Sequence, residues 1–490
     1  MSLVTTHPEY ALMLPEVLKV RDAVKGAFFV KQRGMAYLPH PSSIDQTSEQ
    51  AINRYVTYKH NAEFDEVPGF TMRSMLGRMN ISASSVVLPA GLEYLKESVD
   101  NDGLSLLGQA ENVAAHLLQV KWHILVAESV NSPAPGSRMT PAELAASGNR
   151  AAIKSYPRES VADWDFRKIN GAQQLSYLKL KEKRYSLDIR TGFRTEYDDY
   201  LILALDEDGF YIWWRETVPS NGQSVTPVTE PVRVLVQGQP LRWLPVEIVS
   251  DVEPESGKMP MELGFLAPIV DKVLHRYVDS ANYAEGRMGL IPTVNTTGWR
   301  GGSMDIFKEA NNGRDCIVLS SKDTVNNLPE GVTMDILVAN AALEHFVTYR
   351  DNNAADIRAL GGEFAGDESA GKSDTQANNE AADKASKMLS IVNNIEAAYK
   401  RLVAYCGVLQ GIFKQDQIEQ QLGQIEITFN REFAKGKRNV EEGRFIVTEL
   451  RMSGLFSDDR ILQLLKAAGW NEFEIEELLD EQDSGENLTP

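Results

Sequence analysis

Eight consecutive residues, Gly366, Asp367, Glu368, Ser369, Ala370, Gly371, Lys372 and Ser373, match the phosphate-binding pattern GxxxxGK[ST] letter for letter. In that pattern backbone N–H groups cradle phosphates, the lysine meets the terminal phosphate and the serine holds Mg²⁺. The neighbouring sequence opposes this reading. The pattern belongs after a buried strand, whereas residues 354–360 read as the end of a helix. Asp367 and Glu368 would put two carboxylates into the nest, and no later apolar run ending in Asp supplies a Mg²⁺ partner. The competing reading is a Gly-rich polar loop that ends in a helix start capped by Ser373.

Other chemistry-bearing residues have simpler readings. Asp206, Glu207, Asp208, Gly209 and Asp100, Asn101, Asp102, Gly103 are fragments of calcium loops without the full twelve-residue pattern, and read as turns. His116 and His123 straddle a helix end and a strand, which speaks against a ligand pair. The run from Gly103 through Ser105 to Gly108 is one residue too long for a nucleophile elbow. Arg431, Lys435, Lys437 and Arg438 form a basic cluster that reads as a solvated linker. Cys316 and Cys406 make neither a disulfide framework nor a zinc spacing, and Cys406 sits in an apolar helical run where a buried inert thiol is expected. No set of acid, base and nucleophile emerges. The expectation is therefore a non-enzymatic protein with no cofactor and no metal.

The elements that position these residues follow from periodicity. Residues 1–45 carry Pro8, Pro15, Pro39 and Pro41 and read as irregular. Helices are expected over 49–60, with Ala51, Ile52, Tyr55 and Val56 on the packed face, over 72–78, and over 104–120. Val86, Val87 and Leu88 read as a strand, as do residues 122–126. Residues 128–150 read as a loop. Residues 200–205 and 210–214 flank the Asp206 to Gly209 turn as a hairpin, and Val232, Val234 and Val236 alternate as one strand. From 262 to 288 the period becomes helical, about 40 Å long. A short insert with Gly, Asn and Pro follows, then a second helix over 335–360 and a break at Gly361 and Gly362. The longest helix is expected from 373 to 413, about 60 Å, polar at first and apolar from Met388 onward. Residues 424–429 read as a strand. Residues 441–490 read as helical and acidic, with an unstructured tail from 483.

The 490 residues predict about three compact units. With 43% hydrophobic residues, wholesale disorder is excluded. No run reaches the ~18 apolar residues of a membrane span. The first residues lack a basic stretch followed by an apolar core, so no secretory signal is expected. A net charge of −19 excludes tight, sequence-independent adhesion to nucleic acid over a broad face.

The order of parts resembles the portal, or head-to-tail connector, proteins of tailed bacteriophages. Local sequence carries the same likeness. Val20, Arg21, Asp22, Ala23, Val24, Lys25 and Gly26 followed by Tyr37, Leu38 and Pro39 are similar to the start of one portal subfamily. So are Tyr58 through Phe64, then Met75, Leu76 and Gly77. Tyr277, Val278, Asp279, Ser280, Ala281, Asn282 and Tyr283 resemble the end of its first stem helix. The likeness spans about residues 15–420 and implies an α+β, portal-type fold with wing, two-helix stem, small α/β clip, long wing helix and helical crown. Mapped on this chain, 1–262 would be wing, 263–289 and 335–360 stem helices, and 290–334 clip. Residues 361–373 would be the tunnel loop, 374–439 the long wing helix and a strand, and 440–490 the crown. The GKS within the loop is not a family requirement, and the crown is short.

The resemblance implies a homo-oligomeric ring of about twelve subunits at one capsid vertex of the virion, assembled in the host bacterial cytoplasm. The ring would pass double-stranded DNA during packaging and ejection. Its partners would be the terminase large subunit, a head–tail adaptor, and the major capsid and scaffold proteins, with no membrane. Gly362, Glu363, Phe364, Asp367, Glu368 and Lys372 would face the DNA channel, and Leu266, Ile269, Val270, Val273 and Tyr277 would pack between subunits. The alternatives are a nucleotide hydrolase using residues 366–373, or another head–tail adaptor ring component, whose chains are usually far shorter. Purified protein is expected to show no ATP hydrolysis that depends on Lys372. Turnover that collapses in Lys372→Ala would establish the nucleotide site instead.

Overall fold

The computed structural model describes residues 5–41, 46–129, 150–169, 171–219, 226–252, 255–288, 291–295, 333–337, 340–362 and 374–431. The architecture is α+β. Expectations for 130–149, the insert around Cys316, the loop residues 363–373 and the acidic end after 431 lie outside the described residues. The chain divides into two compact units, residues 1–371 with 387–430, and residues 372–386 with 431–490. The length alone had predicted three. Among the described residues no helix is long and apolar enough to cross a membrane.

The N-terminal residues are helical rather than irregular. Helix α1 (Pro8–Lys25) starts on Pro8, where a missing N–H costs nothing, and it contains Pro15. Pro15 removes one interior hydrogen bond. Burial of Val17, Val20 and Ala23 in the next two turns holds the helix despite that loss. Prolines alone were therefore a misleading signal. Helices α2 (Ala27–Gln32), α3 (Glu49–Asn61) and α4 (Val67–Met79) follow. The Ser48 hydroxyl caps α3 by accepting the Ala51 N–H at 3.2 Å. Its buried face is Ala51, Tyr55 and Tyr58. Ile52 and Val56, expected to pack, face solvent at 52% and 54% exposure.

Strand β1 (Ser85–Val87) precedes α5 (Leu106–Val120). Ser105 is the α5 cap, its hydroxyl accepting the Gly108 N–H at 3.0 Å, which makes this Ser–Gly run a helix start and not a nucleophile elbow. Leu106, Ala110, Val113, Ala114, Leu117 and Leu118 form the buried face, as the period required. Strands β2 (Trp122–Ser129), β3 (Ala151–Pro157) and β12 (Val246–Ser250) make a three-stranded antiparallel sheet in the order β12-β2-β3. The second sheet runs β4 (Val161–Ile169), β5 (Ala172–Leu187), β6 (Arg194–Leu205), β7 (Tyr211–Pro219) and β8 (Thr226–Pro227), with β9 (Val232–Arg233) also on β7. The β6–β7 hairpin turns at Asp206, whose Oδ1 accepts the N–H groups of Asp208 and Phe210. The single strand expected over 232–236 is broken. Val234 donates its N–H to the Tyr211 carbonyl, and β10 (Leu235–Val236) then folds back on β11 (Gln239–Pro240).

Two long helices follow, α6 (Ala267–Met288) and α7 (Asn340–Ala359), joined through β13 (Ile291–Asn295) and β14 (Thr333–Leu337). Helix α8 (Asp374–Leu409) is the longest described element, about 54 Å. From Met388 onward its residues Ile391, Val392, Ile395, Tyr399, Leu402 and Val403 are buried, matching the expected change from polar to apolar. Cys406 is fully buried and burial pushes its thiol pKa up, the inert state expected. Strand β15 (Glu426–Thr428) pairs antiparallel with β1.

A buried polar relay ties α8 to the first sheet. The Tyr399 hydroxyl donates to Gln109 Oε1 at 2.9 Å, and Gln109 Nε2 donates to the Ile153 carbonyl at 2.8 Å. Tyr399→Phe strands the Gln109 oxygen in the core. The expected cost is about 1–2 kcal/mol, read as a lower urea midpoint at unchanged slope.

Candidate functional site

The helix pair α6 and α7 with its insert is built on the C-terminus of α5. The last four carbonyls of any α-helix have no partner within it. Here each finds one. Lys121, at φ +72°, closes the turn with its N–H on the Leu117 carbonyl at 3.0 Å. The Leu118 carbonyl accepts the Leu266 N–H at 3.0 Å, and the Gln119 carbonyl accepts the Gly264 N–H at 3.3 Å. The Val120 carbonyl accepts from Arg158 Nη1 at 3.1 Å. Arg158 also donates to the carbonyls of Glu262 (2.6 Å) and Met261 (2.9 Å) and lies over the Trp122 ring. Burial lowers its pKa to about 10, so it remains charged at neutral pH and faces the negative end of the helix.

This capping delays α6. The helix begins at Ala267 and not at 262, because residues 262–266 run as a non-helical cap over α5 that turns at Gly264 into the helix. A Cβ on Gly264 would lie 2.5 Å from the Leu118 carbonyl oxygen, so only glycine fits this approach.

The expected stem residues Leu266, Ile269, Val270, Val273 and Tyr277 are all 1% exposed or less. They pack inside this chain, against α1, α3 and α4. In this conformation they present no surface to a neighbour. Polar contacts fix the same helix from outside. Asp271 pairs with Lys19 at 2.9 Å and Arg276 with Asp65 at 2.8 Å. Tyr58 donates to Asn282 Oδ1 at 2.7 Å, and the Ser280 hydroxyl bridges the N–H and carbonyl of Glu63. Burial raises the Asp279 carboxyl pKa, with His275 opposing the shift.

Helix α7 lies beside α6, and Lys272 reaches Asp356 across the pair at 2.7 Å. Between Thr348 and Ala359 only Asn353 and Ile357 are buried, so most of this helix faces outward. It ends as the glycines require. Gly361, at φ +87°, donates to the Arg358 carbonyl at 2.9 Å, and Gly362 donates to the Ile357 carbonyl at 2.8 Å. These are the two bonds of a Schellman cap. Gly362 is buried, with Ile357 and Val67 where a Cβ would go, so the structure places it in the helix cap. Glu363, Phe364, Asp367, Glu368 and Lys372 lie outside the described residues. So does the nucleotide pattern.

One association was missed from sequence. His116 and His123, read as no ligand pair, stack with ring centroids 4.8 Å apart and an interplanar angle of 28°. The turn at Lys121 reverses the chain and brings strand and helix faces together. His123 shares a hydrogen bond with the Ser155 hydroxyl at 2.7 Å, and both Nδ1 atoms are buried without a protein partner. Arg21 donates to Glu159 through Nε and Nη2 and to Gln119 through Nη1 nearby. No group of three metal-ligating side chains occurs among the described residues. The signal that could have found the pair is the alternation of β2, which points His123 to the face that α5 covers.

Burial, with Arg21 as a lesser cause, holds His116 down to about 3, and burial, the facing His116 and Arg21 hold His123 well below its ordinary range. The unfolded chain therefore takes up protons below about pH 6.5 that the folded chain refuses, and stability falls as pH drops from there toward about 3. Each ring contributes about 1.4 kcal/mol per pH unit in that window. Urea midpoints measured from neutral pH to about pH 5 should fall more steeply for the wild type than for His116→Phe. Equal slopes would assign the loss to other groups.

No family model matches this chain, and no curated protein matches it. Among solved structures, it is similar to a chain of a virion of a native gene transfer agent particle, with 12% identity and a TM-score of 0.36. That match covers 89% of this chain and 98% of the other.

Proposed function

We propose, from the arrangement of this chain's own elements, that it is a portal subunit. Copies form a ring, of about twelve subunits, at one capsid vertex. The ring passes double-stranded DNA inward and outward and docks the terminase and later a head–tail adaptor. It is not an enzyme, and a separate ATPase supplies the energy. The observation that carries this reading is the sequence of α6, the β13–β14 ladder around residues 296–332, α7, the double-glycine cap and the long α8. Two long helices side by side, with residues 296–332 inserted through a two-stranded ladder, are the arrangement a two-helix stem with a terminal docking piece would need.

Electrostatics supports the same reading. With a formal charge of −19, each subunit gives a threaded duplex few sites at which phosphates shed counterions. DNA would slide past such a wall with sparse contacts, of which Lys372 is the candidate, beside Asp367 and Glu368. The exposed residues of α6, and of α7 between 348 and 359, include Asp271, His275, Arg350 and Asp351, with Tyr349 as an apolar exception.

Negative-stain images of the purified protein should show rings with a central hole. Replacing residues 366–372 with a short neutral linker should leave rings intact and impair retention or passage of DNA. Fields of solitary particles at every concentration would overturn the ring, and unimpaired packaging in the linker variant would overturn the loop's role.

A further inference from the structure

The hairpin of β5 and β6 reaches beyond the sheet that holds it. Strand β4 pairs with β5 only as far as Leu180, and β7 pairs with β6 only from Tyr197 onward. Between Lys183 and Glu196 the two strands pair only with each other. Such a ribbon is marginal alone in water. Its end nevertheless carries four large apolar side chains in solvent. Tyr185 is 61% exposed, Leu187 51%, Ile189 91% and Phe193 75%. The turn that displays them is well built. Asp188 donates its N–H to the Phe193 carbonyl at 2.9 Å and accepts the Gly192 N–H on its own carbonyl at 2.8 Å. Its carboxylate accepts the Arg190 N–H and the Thr191 hydroxyl.

The charge at this tip opposes that of the chain. Residues 183–196 carry a net +2 in a chain of −19. Lys183 is paired with Glu196 and Arg184 with Asp199, whereas Arg190 and Arg194 enter no ion pair among the described residues. A matching surface exists elsewhere on the same chain. On α3, Ile52 and Val56 are exposed one turn apart, and Glu49 continues the same stripe without an ion pair among the described residues.

We propose that the β5–β6 arm of one copy docks on the α3 stripe of the next, with Ile189 and Phe193 against Ile52 and Val56 and Arg190 or Arg194 against Glu49. The inference rests on the ring reading in taking a second copy as the partner. Two different patches meet, so the contact is head-to-tail, the kind that closes into rings or continues as filaments. Contact is by side chains and not by strand addition, since Ile189 and Phe193 stand exposed in the turn, where both strands have ended. The apolar half of the tip needs an apolar counterpart, which favours protein over a phosphate backbone.

The test is sedimentation velocity of the full chain over a concentration series, with particle images. Ile189→Ser combined with Phe193→Ser changes only exposed positions, so its urea midpoint should match wild type. Assembly should shift to concentrations at least roughly tenfold higher. Glu49→Arg should weaken assembly too, and Arg190→Glu with Arg194→Glu should restore part of it in that background. Rings that form at unchanged concentration in the tip variant overturn the arm contact and leave the ring reading standing. Assemblies without a central hole that still require the tip overturn the ring reading and leave the arm contact standing. Wild-type protein that stays monomeric, or a tip variant that loses only binding to a short DNA duplex, overturns the contact with a second copy.

Discussion

The unsatisfied carbonyls at the end of α5 are the constraint from which the helical half of this protein is built. A helix end inside a core must find donors or lose several hydrogen bonds' worth of stability. Arg158 and the backbone of residues 264–266 supply them. The backbone donors lie just before α6, so satisfying one helix sets the origin of the next. Arg158 can do this because a guanidinium has several donors in a fixed plane and stays charged even when buried. Its three carbonyl acceptors come from two stretches of chain, the end of α5 and residues 261–262, and the Trp122 ring lies against the group.

From that origin α6 is held along its apolar stripe and by polar pairs within its own chain, with Asp271 and His275 left exposed. Its apolar stripe is buried against the N-terminal helices, and its polar side chains pair with Lys19, Asp65, Asp356 and Asn282's partner Tyr58. The consequence for assembly is a division of labour. In the proposed ring, apolar residues on this helix would serve the subunit's own core, and contacts between copies would fall to other surfaces. A subunit whose helices are already packed would enter such a ring with less ordering entropy to offset at each contact.

Much of the fold was legible in the sequence where period and turn chemistry agreed. The α5 face, the hairpin around Asp206, the lengths of α3 and α8 and the pairing segments around Val86 and Ile427 follow local rules. What could not be read was set by distant partners. Pro15 signalled a break until burial of Val17 and Val20 outweighed it. Residues 262–266 have helical period but are drawn out by α5. Ile52 and Val56 look like core by pattern, yet the helix is rotated so that Tyr55 and Tyr58 pack instead. For the site, the helix pair and the glycine break were legible. The inward use of Tyr277 and its neighbours, and the meeting of His116 with His123, were not, because both depend on which segments the tertiary fold apposes.

The ladder of β1 with β15 has a consequence for how the polypeptide is made. Asn430 donates to the Ser84 hydroxyl across 346 positions, beside a strand pair just three residues long. At roughly 5–20 residues per second, the early strand leaves the ribosome on the order of half a minute before its mate exists. During that interval its edge is bare and Gln109 has no Tyr399 hydroxyl to accept from. This body is thus completed only once residues up to 430 have been made.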